Sequence, residues 1–295
     1  MLLPKFDYHE PTTLHEACQT MAELREEGRP LAGGTDLLVS MRKGVESPRN
    51  LVSLGSVDEL KGLVFSGRDC KLGACMTAAE LAESSEIRRM FCALSDAANH
   101  LGSPLVRNIA TIGGNVVTAR PAADLVPPLM VYAARAVLKK SAGERTVPLE
   151  DFFRGPGDTV VEPDEILSEI VMEKPLPNSG SCYLKLGRRK TLVISLVNVA
   201  AFLTLDEAKG MITEARLALG AVAPVPMRAY SAENTLAGQK PSESLFAKAG
   251  EIAAHDSRPI DDFRGSAEYR RAMIKVLAKR ALAEAYRQAA RGTSF

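Results

Sequence analysis

The sequence predicts an α+β fold, and three observations carry the prediction. Helix-start signals recur along the chain, each followed by apolar residues at helical spacing. Strand candidates stand in pairs joined by turn sequences. Everything beyond Ser231 reads as helix. In chain order, Thr13-Leu14-His15-Glu16 is a capping box, and Leu14, Cys18, Met21 and Leu24 recur at helical spacing until Gly28 supplies a stop. His15 falls on the polar side of that helix. Pro30-Leu31-Ala32 reads as a strand, Gly33-Gly34-Thr35-Asp36 as a turn, and the apolar run to Met41 as a helix ended by Arg42-Lys43-Gly44. Leu51–Leu54 is a second strand, so the first segment is a small α/β unit. Ser56–Glu59 opens a turn of helix, and Leu63–Phe65 and Cys70–Cys75 form a hairpin around Gly67-Arg68-Asp69.

Thr77-Ala78-Ala79-Glu80 caps a further helix, another runs from about Ile87 to Asn99, and the helix after Asp124–Pro128 leads to a strand at Ala136–Lys139. The turn formers of Lys174–Gly180 mark a boundary. Strand candidates Cys182–Leu186, Ile194–Leu205 and Met211–Leu219 follow, the last two joined through Asp206–Gly210. The final helix, Ala267–Ala290, places Met273, Val276 and Leu277 on one side and Arg and Lys on the other.

The chain's 295 residues are enough for two compact domains or one large one. A net charge of +1 gives no electrostatic footprint for nucleic acid or anionic membrane. The basic run Arg188-Arg189-Lys190 reads as a solvated turn. The five cysteines, Cys18, Cys70, Cys75, Cys92 and Cys182, form no C-x-x-C pair and are odd in number. That argues against a zinc site, a cluster on this chain or a secreted disulfide framework, and for buried reduced thiols in a cytoplasmic protein. The amino terminus lacks the basic and apolar regions of a signal peptide. The longest apolar stretches, Leu125–Leu138 and Leu192–Leu205, are too short to span a bilayer and are interrupted by Pro127-Pro128 and Asn198.

Two glycine pairs are the chemical signal. Leu31-Ala32-Gly33-Gly34-Thr35-Asp36-Leu37 lies between a strand and a helix, where glycine frees backbone N–H groups and lets a phosphate approach without a Cβ clash. Thr35 can add a hydroxyl. Asp36 is an odd neighbour for a phosphate, and capping the next helix is its expected role. Thr111-Ile112-Gly113-Gly114-Asn115 repeats the logic in a polar surface loop. From spacing alone the pairs fit either one extended phosphate cradle or two ordinary turns. No G-x-G-x-x-G, Walker A, G-x-S-x-G or H-E-x-x-H motif is present, and His9, His15, His100 and His255 form no spaced pair.

The two glycine segments resemble the paired FAD motifs of the molybdenum-hydroxylase flavoprotein subunits, the family of the FAD part of xanthine dehydrogenase, the medium subunit of aerobic carbon monoxide dehydrogenase and the corresponding subunit of 4-hydroxybenzoyl-CoA reductase. Thr118–Leu125, Tyr183–Arg189 and Tyr269–Met273 also fit the family, and the similarity runs along almost the whole chain. It implies a vanillyl-alcohol-oxidase-like (PCMH-type) FAD-binding fold over residues 1–175, in subdomains of about 1–55 and 56–175, then a C-terminal domain over 180–290 with a small antiparallel sheet and helices.

By the same resemblance, Leu31, Ala32, Gly33, Gly34, Thr35, Asp36 and Leu37 wrap the FAD pyrophosphate together with Thr111, Ile112, Gly113, Gly114 and Asn115. Leu101, Asp124, Leu167 and Lys185 match further FAD-contacting positions. Leu101, Leu192 and Val193 stand where some relatives carry aromatic rings near the flavin. A Cys-rich cluster insert found in the 4-hydroxybenzoyl-CoA reductase type is missing after Asn115. The implied function is electron transfer: a molybdopterin subunit oxidises a small molecule, a small subunit with 2Fe–2S clusters relays electrons, and non-covalent FAD on this chain passes them to an external acceptor. The implied assembly is a dimer of heterotrimers, with no catalytic residue or metal ligand on this chain. A self-sufficient vanillyl-alcohol-oxidase-type enzyme and a non-redox phosphate or CoA module are the competing readings.

Overall fold

The computed structural model describes residues 3–189 and 191–292. Met1, Leu2 and Lys190, the last of the basic run, lie outside the described residues. The elements in chain order are β1 (Asp7–His9), α1 (Leu14–Leu24), β2 (Gly28–Leu31), α2 (Leu37–Arg42), β3 (Asn50–Ser53), β4 (Leu63–Ser66), β5 (Asp69–Gly73), α3 (Ala78–Glu83), α4 (Ser85–Met90), α5 (Cys92–His100), α6 (Pro104–Arg107), α7 (Ile112–Val117) and α8 (Val126–Val131). They continue with β6 (Arg135–Lys140), β7 (Gly143–Pro148), β8 (Phe153–Gly155), β9 (Asp158–Thr159), β10 (Ile166–Glu173), β11 (Ser179–Leu186), β12 (Val197–Leu205), β13 (Ile212–Gly220), β14 (Met227–Arg228), α9 (Tyr230–Leu236), α10 (Glu243–Asp256) and α11 (Ala267–Ala290). The chain divides into two compact units. The first takes in residues through Glu80, Pro104–Ala119 and Ala134–Glu173; the second takes in Leu81–Ser103, Arg120–Ala133 and the chain from Lys174 on.

The first unit holds a parallel sheet of order β1-β3-β2 and an antiparallel sheet of order β4-β5-β10-β6-β7. The Thr13 box is formed in full, with the hydroxyl accepting from Glu16 N–H and the Glu16 carboxylate returning to the cap. Leu14, Ala17, Cys18 and Met21 then pack on Val52, Leu54, Val57 and Leu60. Gly28 is not the helix stop. The chain turns at Arg25, at φ 47°, and Gly28 is extended and opens β2. Its missing Cβ eases the packing, because one would stand 3.0 Å from Leu24 Cβ. The central strand β10 was passed over in the sequence, since Ser168 and Glu169 interrupt its apolar pattern; a register shift falls at that point.

In the second unit the expected helix from Ile87 is two helices. Phe91 adopts φ −129°, ψ 51° between them, and its ring is fully buried edge-on to Tyr132, with centroids 5.0 Å apart. The sheet β11-β12-β13-β14 is antiparallel, with β12 and β13 joined by the expected Asp206–Gly210 hairpin. One face carries Val199, Ala201, Leu203, Leu217 and Leu219 into a core shared with α9, α10 and α11, with α9 and α11 directly against the sheet. α11 buries Ile274, Leu277, Ala278, Ala281 and Leu282, whereas Val276, expected with them, is exposed: it stands two residues from the centre of the buried stripe.

α11 also buries Arg270, whose guanidinium donates to the carbonyls of Leu196 (2.7 Å) and Ala221 (3.0 Å) and to Asp262 Oδ1 (2.8 Å). Burial of Asp262 opposes its ionisation, but hydrogen bonds from Arg264 and the charges of Arg270 and Arg264 outweigh it and hold the carboxyl at about 2. Because this folded value lies below the unfolded one, the stabilisation is complete above about pH 3.8 and is lost as pH falls toward 2. Arg270→Met strands two carbonyls and leaves Asp262 with Arg264 alone, and should cost about 2–5 kcal/mol in urea unfolding, while exposed Arg271→Met stays within about 0.5. Acid titration of Arg270→Met should show a smaller loss of stability between about pH 3.8 and 2 than the parent's, because Arg264 alone holds the carboxyl less far below its unfolded value.

Candidate functional site

The first glycine motif is a run of unused donors. Leu31 O is taken by Leu54 N–H, and beyond it the N–H groups of Ala32, Gly33, Gly34, Thr35 and Asp36 meet no protein acceptor among the described residues. Ala32 to Thr35 are half-buried and Asp36 is exposed; half-buried amides left in a row normally have a partner. Gly34 holds φ +67°, the left-handed region that favours glycine. Gly33 lies directly against backbone: a Cβ there would stand 1.7 Å from Ile109 O. Asp36 precedes α2 in helical geometry and makes no side-chain cap bond, so the expected capping role is not realised. Its carboxylate is exposed.

The second motif is not a surface loop. Thr111 is the N-cap of α7, and its hydroxyl accepts from Gly114 N–H at 3.1 Å. Ile112 and Gly113 donate to Met76 O (2.9 Å) and Ala74 O (2.8 Å), and a Cβ on Gly113 would stand 2.7 Å from the same Ala74 oxygen. Most of this motif's amides are therefore already spent on the protein. The first motif is seated at Gly33 on Ile109, two residues ahead of the second motif, but only the first offers a row of open donors. Leu167, on β10, is buried beside Ser168, whose carbonyl accepts from Ala74 N–H.

In the second unit Asp124, Lys185 and Leu101 come together. Lys185 Nζ pairs with Asp124 Oδ2 at 2.6 Å, with both side chains nearly inaccessible, and donates a second bond to His100 O at 3.1 Å, next to buried Leu101. Asp124 Oδ1 accepts from Tyr183 Oη (2.8 Å) and Ser195 Oγ (2.9 Å). Burial, and then the Asp124 carboxylate, push the Tyr183 phenol well above its ordinary value, so it remains a donor. Tyr183 and Lys185, two apart on β11, share one face of the strand. Tyr183's role was implicit in that spacing, whereas Ser195 carried no sequence signal. Leu192 is exposed at φ 50°, with Arg189 donating to its carbonyl at 2.9 Å. Val193 packs where a Cβ on Gly187 would be 2.5 Å away.

Among the described residues no three His, Cys, Asp or Glu converge to hold a metal ion, and no helix is long and apolar enough to cross a membrane. Burial raises the Cys75 thiol to about 11 and Cys182 to about 12, which leaves neither a ready nucleophile.

Residues 4–175 match a family described as the FAD binding domain in molybdopterin dehydrogenase, and residues 182–285 match the CO dehydrogenase flavoprotein C-terminal domain. The xanthine dehydrogenase FAD-binding subunit of Escherichia coli O157:H7 is 32% identical over 94% of this chain and 95% of its own. The carbon monoxide dehydrogenase medium chain of Hydrogenophaga pseudoflava is 30% identical over 98% and 100%. A solved carbon monoxide dehydrogenase from H. pseudoflava, lacking the Mo-pyranopterin moiety of its molybdenum cofactor, superposes with TM-score 0.93 at 31% identity, covering 98% of this chain and 99% of that one. Quinoline 2-oxidoreductase from Pseudomonas putida 86 gives 0.91 at 29% identity, covering 98% and 99%.

Fold and matches together define an FAD-binding oxidoreductase subunit, and the expected α+β FAD-binding fold with a C-terminal sheet-and-helix domain is borne out. The chain belongs to the FAD-binding medium subunits of the molybdenum hydroxylases, the family of xanthine dehydrogenase and CO dehydrogenase.

The close approaches make a direct test. Gly33→Ala and Gly113→Ala each drive a methyl into a backbone carbonyl and should cost about 3 kcal/mol by urea unfolding. Gly55→Ala has only Ser53 Oγ within reach, at 3.8 Å, and should stay within about 0.5 kcal/mol.

Proposed function

We propose that this chain holds FAD non-covalently and passes electrons from 2Fe–2S clusters of a small partner subunit to an external acceptor, in a cytoplasmic complex whose large subunit carries molybdopterin. The observation that carries the reading is the row of open N–H groups from Ala32 to Asp36. Successive open backbone donors where glycine admits close approach suit a diphosphate. In this reading Leu31–Leu37 hold the diphosphate by their backbone, and Gly33, seated on Ile109, keeps those donors in place. Thr111, Ile112, Gly113, Gly114 and Asn115 contribute mainly as the wall that fixes this segment. Leu167 supplies apolar packing in the first unit. Leu101, Asp124 and Lys185 are the second unit's assigned FAD residues. Bound FAD supplies the step between two-electron and one-electron chemistry; the chain's own work is to bind, orient and shield it. No acid–base pair is assigned to the chain, so it is inactive alone. The assembly we propose is a dimer of heterotrimers.

The purified chain should release FAD, and no FMN, on acid precipitation, with no flavin left in the pellet and no stoichiometric iron. Gly34→Val places a branched side chain at positive φ beside Leu38, and should abolish FAD binding while leaving the far-ultraviolet circular dichroism unchanged. Unchanged FAD affinity in that variant would remove the cradle from the explanation. When the chain is co-expressed with molybdopterin and iron–sulfur partners, substrate should bleach the flavin of the complex and leave the isolated chain yellow. Turnover by the isolated chain at the complex's rate would make it a self-sufficient enzyme.

A further inference from the structure

The buried pair Asp124–Lys185 is held more tightly than an ion pair needs. Burying two charges costs several kcal/mol unless further hydrogen bonds satisfy them. Here Oδ1 is filled by two hydroxyls, from Tyr183 on β11 and Ser195 ahead of β12, and Oδ2 by the ammonium. A carboxylate with one oxygen gripped twice cannot swing about its Cβ–Cγ bond without breaking both bonds. The ammonium is gripped as well: one proton goes to Asp124 and a second to the His100 carbonyl at the end of α5. Its third proton has no acceptor among the described residues. Two fixed tetrahedral directions determine the third, so a normally mobile four-carbon stem ends in a charge with one position and one open donor.

We infer that Tyr183 and Ser195 are positioning residues that, through Asp124, fix Lys185 as a stationary positive charge favouring the reduced over the oxidised flavin. The inference rests on Lys185 being a contact of FAD, as proposed above. Two-electron reduction of the flavin with uptake of one proton leaves one negative charge on the ring system, and a positive charge that need not reorganise stabilises that product selectively. Neither hydroxyl touches the cofactor in this account; both act on it through Asp124 and Lys185.

The test is a potentiometric titration with dithionite of the FAD-loaded full chain, with FAD content and thermal unfolding measured beside it. Lys185→Met should bind reduced FAD at least tenfold less favourably relative to oxidised FAD, a fall in midpoint potential of about 30 mV for a two-electron couple. Tyr183→Phe and Ser195→Ala should each lower the potential by a part of that, the double variant by more than either, and Ser195→Thr, which keeps a hydroxyl, should restore the parent value. If the double variant does not fold, the two single variants and the threonine rescue decide alone. Variants lacking the hydroxyls that hold FAD at the parent potential, while Lys185→Met shifts it, overturn the positioning role. A parent potential in Lys185→Met overturns the inference at its source. A parent chain that binds no FAD is a different failure, that of the function proposed above.

Discussion

The first unit depends on one backbone contact, the seat of Gly33 on the carbonyl of Ile109. No side chain can occupy that space, since even a methyl would overlap the oxygen. The contact is also the end of a continuous set of backbone links. Ser168 O on the central strand accepts from Ala74 N–H, Ala74 O from Gly113, Met76 O from Ile112, and Ala110 O from Ala78. Each link is a main-chain bond with no rotamer to lose. The segment carrying Ala32–Asp36 is thus referred to the middle of a five-stranded sheet, and its open donors can stay in a row without a covalent or side-chain brace.

The second unit solves a different problem with the same means. Its main core is a sheet face packed on α9 and α11, with α10 in the same apolar cluster, which is ordinary apolar burial. The opposite side of β11 carries charge, and charge out of water needs partners. Asp124 is matched by three donors, Arg270 meets three acceptors through its terminal nitrogens while its Nε has no partner, and the segment between Leu192 and Val197 is touched by both arrangements. Ser195 bonds Asp124 and the Leu196 carbonyl bonds Arg270. The position of Ser195 is therefore set from both sides, which is what a group acting through geometry requires.

Local signals were the legible part of the sequence. The Thr13 and Thr77 boxes, the Asp206–Gly210 hairpin and the bounds of α11 rest on neighbouring residues and are found where the pattern puts them. The break at Phe91, strand β10 and the close packing of Gly28 rest on partners far along the chain, which periodicity does not register. The site divides the same way. Gly33 and Gly34 were readable as a place where backbone must be bare. That Gly113 is bare for the sake of Ala74, and that the amides of its motif are consumed internally, could only follow from the fold. Asp36 illustrates the limit from the other side: its residue type suits a cap, but its backbone is already helical and the bond is not made.

These arrangements share a chemical consequence. A subunit that binds FAD has to grip a charged cofactor without introducing groups that would exchange protons or attack it. The first unit presents uncharged main-chain N–H donors to the proposed diphosphate, which attract phosphate oxygens and have no proton to lose at neutral pH. In the second unit the one carboxylate assigned to the site has its oxygens occupied by Tyr183, Ser195 and Lys185, so it is not free to act as a base. The phenol beside it is held protonated, and the thiols of half-buried Cys75 and buried Cys182 are raised far from the thiolate form. What is left open is a set of donors, whose chemistry is binding and electrostatics, as suits an FAD-binding subunit of the molybdenum hydroxylase family.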